Sequence, residues 1–409
     1  MILRTEQVGK TFDVSFPDTG AHIGFSRITD LHSGDYRGWV SLCDGDVLLH
    51  GSAINLCTAS ARQSLLKSLN GHSGTLPWSG MLDMACIEVI KRLMAGSPAE
   101  VIRSEETVPA EQYLIEPFVP LNEPTLLFGR GGSCKSYLAL LFAVFVQLPW
   151  PANPFGWKVD SKSTNVLYLD WETSRNVIHR RLKRLLSGMG APPALHIIYR
   201  QCRGTLVSEL EAIEKTVMDH QIGFVIIDSA GRGCGGDLNA PAPVNEFYTA
   251  ARQLGKSPLI IHHSAKDEFR KEKTPFGSTY FENNARSQWY VEREREGNET
   301  DFVISLSHTK VNDSAKRRSI GLRVKFDNTP GQETTRFELC DLKQTEFADK
   351  LPLKDRLAVL LQDGPLPIDK IAAQLGATEA TVRTRLYENP NLFAKRQDKT
   401  WELKKNDVP

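Results

Sequence analysis

The chain has 409 residues, of which 41% are hydrophobic and 24% charged, and its formal net charge is +1. That size exceeds one ordinary core and predicts two or three domains. A near-zero balance excludes a surface that attracts polyanions everywhere, so any nucleic-acid contact must come from local patches. No apolar run reaches the length of a membrane span, and the opening Met1-Ile-Leu-Arg-Thr-Glu lacks a signal-peptide pattern. The seven cysteines (43, 57, 86, 134, 202, 234 and 340) form no C-x-x-C pair, which supports neither a zinc site nor a disulfide framework. A soluble chain in reducing cytoplasm is the expectation.

Residues 1–110 read as a small α+β domain. Ile23–Ile28, Gly38–Leu42 and Asp46–His50 have the composition of short strands between Gly/Asp turns. Ser60–Leu69 and Met81–Met94 carry apolar residues at helical spacing. Gly96 to Glu111 is polar and contains proline, the texture of a linker. No chemical motif stands in this domain, so packing, oligomer contacts or a protein partner are its expected roles.

Residues 113–345 alternate strands and helices, predicting an α/β domain with a mostly parallel sheet covered on both faces. The strand Thr125–Phe128 feeds Gly129-Arg-Gly-Gly-Ser-Cys-Lys135-Ser136, and a helix beginning at Tyr137 follows. This nearly completes G-x-x-x-x-G-K-[ST], in which glycines let backbone N–H groups approach phosphates, the lysine reaches the β- and γ-phosphates, and the hydroxyl meets Mg²⁺. Gly129, Gly131, Gly132, Ser133, Cys134, Lys135, Ser136 and Tyr137 are therefore the expected nucleotide-binding residues. Cys134 stands where the second glycine is expected, and a non-Gly residue in a left-handed position is strained.

Further along, Val166-Leu-Tyr-Leu-Asp170-Trp-Glu172 is a strand whose end should reach the same edge as the loop, because ligands bind at the carboxyl ends of parallel strands. Glu172 is the expected general base and Asp170 its competitor; the alternative is that Glu172 caps the following helix. Phe224-Val-Ile-Ile-Asp228 is a second acid-ending strand, placing a carboxylate beside the loop to hold Mg²⁺ together with Ser136. Gly231–Asp237 reads as a flexible loop on the same edge. Two histidines end the strand Leu259-Ile-Ile-His262-His263; adjacent side chains face opposite ways, which argues against a shared metal and leaves a polar sensor as the functional reading. The charged run from Lys266 to Gly277, with Lys266, Arg270, Lys271 and Lys273 among Phe269 and Phe276, suits single-stranded nucleic acid or is a solvated loop. Lys310 to Arg318 forms a basic hairpin tip.

Residues 352–405 have another texture. Helices over Asp355–Leu361, Ile368–Leu375 and Thr378–Tyr387, then a hairpin from Leu392 to Leu403, make a winged-helix pattern. Arg383, Arg385, Lys395 and Arg396 supply local positive charge, although Glu379 and Glu388 accompany them; such modules bind DNA or pair proteins.

The loop, Leu-Asp-Trp-Glu172, Ile-Ile-Asp228, Ile-Ile-His-His-Ser-Ala-Lys266, Gly277-Ser278 with Ala285-Arg286-Ser-Gln-Trp289, and Ser307-His-Thr-Lys310 occur in an order that resembles the RecA-like ring ATPases, specifically the plasmid RepA-type hexameric helicases. The resemblance covers residues 120–315. It implies an ATP- and Mg²⁺-dependent RecA-like core, a hexameric ring or filament with nucleotide between subunits, and single-stranded DNA as partner. It implies Glu172 as catalytic glutamate, Asp228 as the magnesium-associated aspartate, His262 and His263 as the sensor region, and Lys310 as a basic finger toward the neighbouring subunit. Asn312 occupies a place where the family often has arginine; Arg317 or Arg318 is the substitute to consider. A motor is the first expectation. A slowly hydrolysing, nucleotide-switched DNA-binding regulator, loader or defence component is the second, and a small-molecule phosphotransferase the third.

Overall fold

The computed structural model describes the chain except residues 1, 9–10, 31–34, 70–75, 96–100, 102, 105–106, 108–111, 149–152, 161–163, 193, 266–272, 296–297, 313–314 and 405–409. It divides into two compact units, Met1–Ala110 with Leu206–Asp219, and the remainder.

The first unit is a five-stranded antiparallel meander in chain order: β1 (Arg4–Val8), β2 (Thr11–Phe16), β3 (Ala21–Asp30), β4 (Tyr36–Asp44) and β5 (Val47–Asn55). Helices α1 (Ala59–Lys67) and α2 (Trp78–Ala95) follow. Alternation along β2 buries Phe12, Val14 and Phe16 with Ile23, Phe25, Val40 and Leu42, against Leu65, Trp78, Met81 and Leu82 of the helices. The sequence reading missed β1 and β2, although Thr11-Phe-Asp-Val-Ser-Phe16 alternates perfectly and Gly9 and Pro17 flank it in the sequence.

The second unit opens with a small sheet built from β6 (Tyr113–Glu116), β7 (Val119–Pro120) and, later in the chain, β9 (Lys158–Val159). The main elements, in chain order, are β8 (Thr125–Gly129), α3 (Lys135–Gln147), β9 (Lys158–Val159), β10 (Asn165–Asp170), α4 (Arg175–Met189), β11 (Ile198–Gln201), β12 (Ile222–Asp228) and α6 (Ala230–Cys234); between β11 and β12 the chain gives α5 (Leu206–Asp219) to the first unit. Then come α7 (Pro241–Gln253), β13 (Ser257–His263), α8 (Tyr280–Asn284), β14 (Ser287–Arg293), β15 (Asp301–Val311), β16 (Ile320–Asp327) and β17 (Thr334–Cys340). Nine strands form one sheet in the order β11-β10-β12-β13-β8-β14-β15-β16-β17. The pairings from β11 to β14 are parallel, and those from β14 to β17 antiparallel.

Burial on both faces is why β8, β10, β12 and β13 read as unbroken apolar runs, and each ends in a polar or glycine residue on one edge. Helix α3 is buried on almost every side, so its sequence is apolar throughout. Gly129 ends β8 against β14, where an added Cβ would meet the Val291 carbonyl oxygen at 2.2 Å. The stretch expected to be a flexible loop after β12 is instead partly helical: Ala230, Gly233 and Cys234 of α6 are buried. Burial of these small residues overrides the glycine-rich composition.

The last segment contains α9 (Leu353–Leu360), α10 (Ile368–Leu375), α11 (Glu379–Tyr387) and the antiparallel pair β18 (Phe393–Lys395) and β19 (Trp401–Leu403). Leu357, Ile371, Val382, Leu386, Phe393 and Trp401 form its own core.

Candidate active site

Gly131 to Ser136 wrap the start of α3, with Gly132 at φ +77° and Cys134 at φ +63°. Cys134 thus occupies the left-handed position that the sequence reserved for glycine, at a strain of roughly 1–2 kcal/mol. Its thiol is pushed up to about 11, chiefly by burial, so it stays protonated and unreactive at neutral pH. The Lys135 ammonium lies over the loop, donating to the Gly129 carbonyl at 2.9 Å and the Arg130 carbonyl at 2.7 Å. Burial pulls its pKa down to about 8, opposed by Asp228 and Glu172.

Strand register brings the two acid-ending strands together, since Asp170 of β10 pairs beside Asp228 of β12. Their fates differ. Asp170 is buried and accepts from the Glu172 N–H, the Thr173 N–H, the Thr173 hydroxyl and the Tyr199 hydroxyl, at 2.9, 2.9, 2.7 and 3.0 Å. A carboxylate so fully engaged is an anchor for the turn, and it presents Glu172. Glu172 accepts a hydrogen bond from the Ser229 hydroxyl and faces His263 Nε2 at 3.7 Å. His263 beside it and the Ser229 hydroxyl hold its carboxyl down at about 2, against burial. Helix α4 has Ser174 at its N-cap, two residues after Glu172, and no side-chain hydrogen bond caps it.

Asp228 is buried, and one of its oxygens accepts from the Ser136 hydroxyl at 2.7 Å and the Tyr168 hydroxyl at 2.5 Å. Burial raises its pKa while those two donors lower it. Tyr168 escaped the sequence reading, although a tyrosine in a fully buried strand must find a partner for its hydroxyl. Ser229 was also missed; it precedes α6 but gives its hydroxyl to Glu172 rather than to the helix.

The paired histidines separate as strand alternation requires. His262 is 1% exposed, donates from Nε2 to the Phe276 carbonyl at 2.8 Å and stacks on Phe281. His263 lies at the surface of the cavity. Its strand end is tied to the loop, because the Ser264 N–H donates to the Gly129 carbonyl at 3.2 Å. Lys135, Ser136, Tyr137, Glu172, Asp228, Ser229 and His263 all line one cavity of about 380 Å³.

Other expected residues lie apart from it. The Lys310 ammonium donates to the carbonyls of Glu282, Asn283 and Ala285 at 2.7, 2.9 and 2.9 Å, capping the end of α8. Arg317 faces Glu116 at 3.3 Å. Lys266, Arg270 and Lys271 fall outside the described residues, and Lys273 is half-buried at the border of that stretch. In the C-terminal segment Arg383 pairs with Glu379 at 3.7 Å, Arg385 with Glu388 at 2.9 Å, and Arg396 with Glu402 at 3.4 Å; Lys395 is exposed.

The oxygen donors at the loop fit a divalent cation. Ser136 and a single carboxylate, Asp228, suit an ion that keeps waters and takes phosphate oxygens, as Mg²⁺ does. Among the described residues there is no group of three or more His, Cys, Asp or Glu side chains able to cage a metal. No described helix is long and apolar enough to cross a membrane.

Residues 91–268 match the model of a protein family described as an AAA domain, which is less than half of the 409-residue chain. No curated protein matches it. Among solved structures, one similar chain is a KaiC-like protein from the hyperthermophilic archaeon Pyrococcus horikoshii OT3. The two are 14% identical with a TM-score of 0.35, over 54% of this chain and 93% of that one.

Proposed function

We propose that the chain is built on a RecA-like P-loop ATPase core and is an ATP- and Mg²⁺-dependent, oligomeric motor on single-stranded DNA, helicase-like or recombinase-like; the AAA-domain match over residues 91–268 supports the ATPase part. The observation that carries this reading is the convergence of Lys135, the Ser136–Asp228 pair and the Glu172–His263 pair in one cavity, with His263 three residues before the basic run 266–273 in sequence. The backbone N–H groups of residues 131–136 and the Lys135 ammonium bind the phosphates. Ser136 and Asp228 would hold Mg²⁺, which would supply charge neutralisation at the phosphate oxygens. Glu172, ionised throughout the working pH range, orients the attacking water and takes its proton. The Asp170 anchor and the Ser229 hydroxyl fix where that carboxylate stands. His263, touching Glu172 on one side and leading into residues 266–273 on the other, couples DNA to the base.

In this reading residues 1–110, 113–345 and 352–405 are three domains, the first binding a protein partner. The order of α9, α10, α11 and the β18–β19 hairpin supports a winged helix. Its DNA contacts are assigned to Arg383, Arg385, Lys395 and Arg396, with Lys266, Arg270, Lys271 and Lys273 serving the core. Subunits form a hexameric ring or filament in which Lys310 reaches the neighbouring nucleotide, for which it must release the α8 carbonyls.

The second reading, a nucleotide-switched regulator, loader or defence component, is favoured by the strained Cys134 and by the engagement of Lys310 at α8. ATP hydrolysis with and without single-stranded DNA, on wild type and Glu172→Gln, decides between them. Turnover that rises with DNA and disappears in the variant supports the motor. ATP binding without turnover removes it in favour of the switch.

A further inference from the structure

The edge of a sheet presents a row of unpaired N–H and C=O groups, and proteins guard such rows with charge, proline or a cover. Three edges of the two large sheets are guarded by charge: β1 carries Arg4 and Glu6, β11 carries Arg200, and β17 carries Arg336 and Glu338. The fourth, β5, reads Val-Leu-Leu-His-Gly-Ser-Ala-Ile-Asn, with no Lys, Arg, Asp, Glu or Pro. Its pairing with β4 skips Leu49 and is regular from His50 to Asn55. Among the described residues no strand pairs with its other side.

A cavity of about 450 Å³ lies along this open stretch, lined by residues 52–55 of β5, by Ala61, Ser64 and Ser68 of α1, and by Arg37 of β4. Positions 61, 64 and 68 share one face of α1, and their small side chains keep the gap between helix and strand open. Among the described residues no carboxylate pairs with Arg37, and the Ser52 and Ser64 hydroxyls make no hydrogen bond.

We propose that an extended, acidic segment of a partner protein adds to the free side of β5. It would run beside His50–Asn55, fill the gap below α1 and set a carboxylate on Arg37. The inference deepens the reading of residues 1–110 as a partner-binding domain and rests on it. Main-chain hydrogen bonds to the open edge supply affinity whatever the sequence, and alternate side chains enter the groove. A second copy of this chain would pair β5 with β5, and β5 has no carboxylate to offer Arg37.

The probes are fluorescein-labelled octapeptides of alternating threonine and valine, with one aspartate placed at each position in turn, and a matching lysine series. Their anisotropy is titrated with the full-length protein. At one or two positions aspartate should bind about tenfold tighter than lysine. Arg37→Glu should reverse that preference, a gain for lysine that misfolding could not mimic. Ser64 is exposed, so Ser64→Trp should leave the fold intact, fill the groove and weaken every peptide about tenfold. Hydrogen exchange should slow over His50–Asn55 when peptide is added. Binding indifferent to both substitutions overturns the groove and leaves the partner-binding reading standing. No binding by any peptide removes both. Exchange protection of His50–Asn55 without peptide, fading on dilution, would give the strand to a second copy and overturn the acidic segment.

Discussion

The polar edge of the central sheet and the basic surface of the C-terminal segment were both read from residue types, and they behave differently. At the sheet edge each charged side chain is oriented by a neighbour that is not its functional partner: Asp170 anchors the Glu172 turn, Tyr168 holds Asp228, and Gly129 receives Lys135. In the C-terminal segment Arg383, Arg385 and Arg396 are each balanced by a glutamate three to six residues away. Burial makes the first set expensive to misplace. Exposure makes the second set nearly indifferent, since such pairs contribute about 0–1 kcal/mol.

The contrast is sharpest at Glu172. Glu172→Gln should lower ATP turnover by roughly 10²–10⁴-fold while leaving the nucleotide dissociation constant within about twofold; a parallel loss of binding would remove the distinction between base and phosphate cradle.

Acid should damage the central domain first. His262 and His308 are buried, and burial holds both at about 4, below the ordinary 6.5. The unfolded chain therefore takes up protons that the folded one refuses, and stability is lost as pH falls from 6.5 towards 4, by about 3 kcal/mol for each histidine. Thermal melting across that range should show the decline, and His308→Gln should flatten it. An unchanged slope would mean that the ring is not buried in solution.

A smaller effect, about tenfold in turnover with unchanged melting of the C-terminal segment, is expected for Asp170→Asn, which weakens the turn presenting Glu172. Cys134→Gly should raise the melting midpoint by the equivalent of about 1 kcal/mol and leave ATP affinity unchanged, because the left-handed cysteine is already strained without ligand; lower affinity would show that the thiol contributes to the loop. Last, Arg385→Ala should change stability by less than about 0.5 kcal/mol in urea titration. A larger loss would place that arginine on the buried side of the comparison.

Much of the central domain was legible because a strand buried on both faces leaves only one place for a polar residue, its end. The carboxylates at 170, 172 and 228, and the lysine at 135, announced themselves by position. What stayed hidden was the division of labour between Asp170 and Glu172, two residues apart, because it depends on donors from Thr173 and Tyr199. Tyr168 was hidden for a related reason: its hydroxyl reaches across to another strand, and no local spacing encodes that. The β1–β2 hairpin was missed although alternation, Gly9 and Pro17 marked it, and α6 formed where glycines suggested a loop because Ala230, Gly233 and Cys234 pack inward.

The glycines of the phosphate loop do not all speak to the same question. At Gly131 and Gly132 an added Cβ would touch nothing within 4 Å, whereas at Gly129 it would collide with the backbone of β14. Gly129 is thus an architectural requirement of the sheet, and a descendant of this chain that had abandoned nucleotides would still need it. The empty space around Gly131 and Gly132 has no such structural tenant. In substitution scans, tolerance at Gly131 will report on the ligand, Gly132 will report also on its left-handed backbone at φ +77°, and intolerance at Gly129 will report only on the fold.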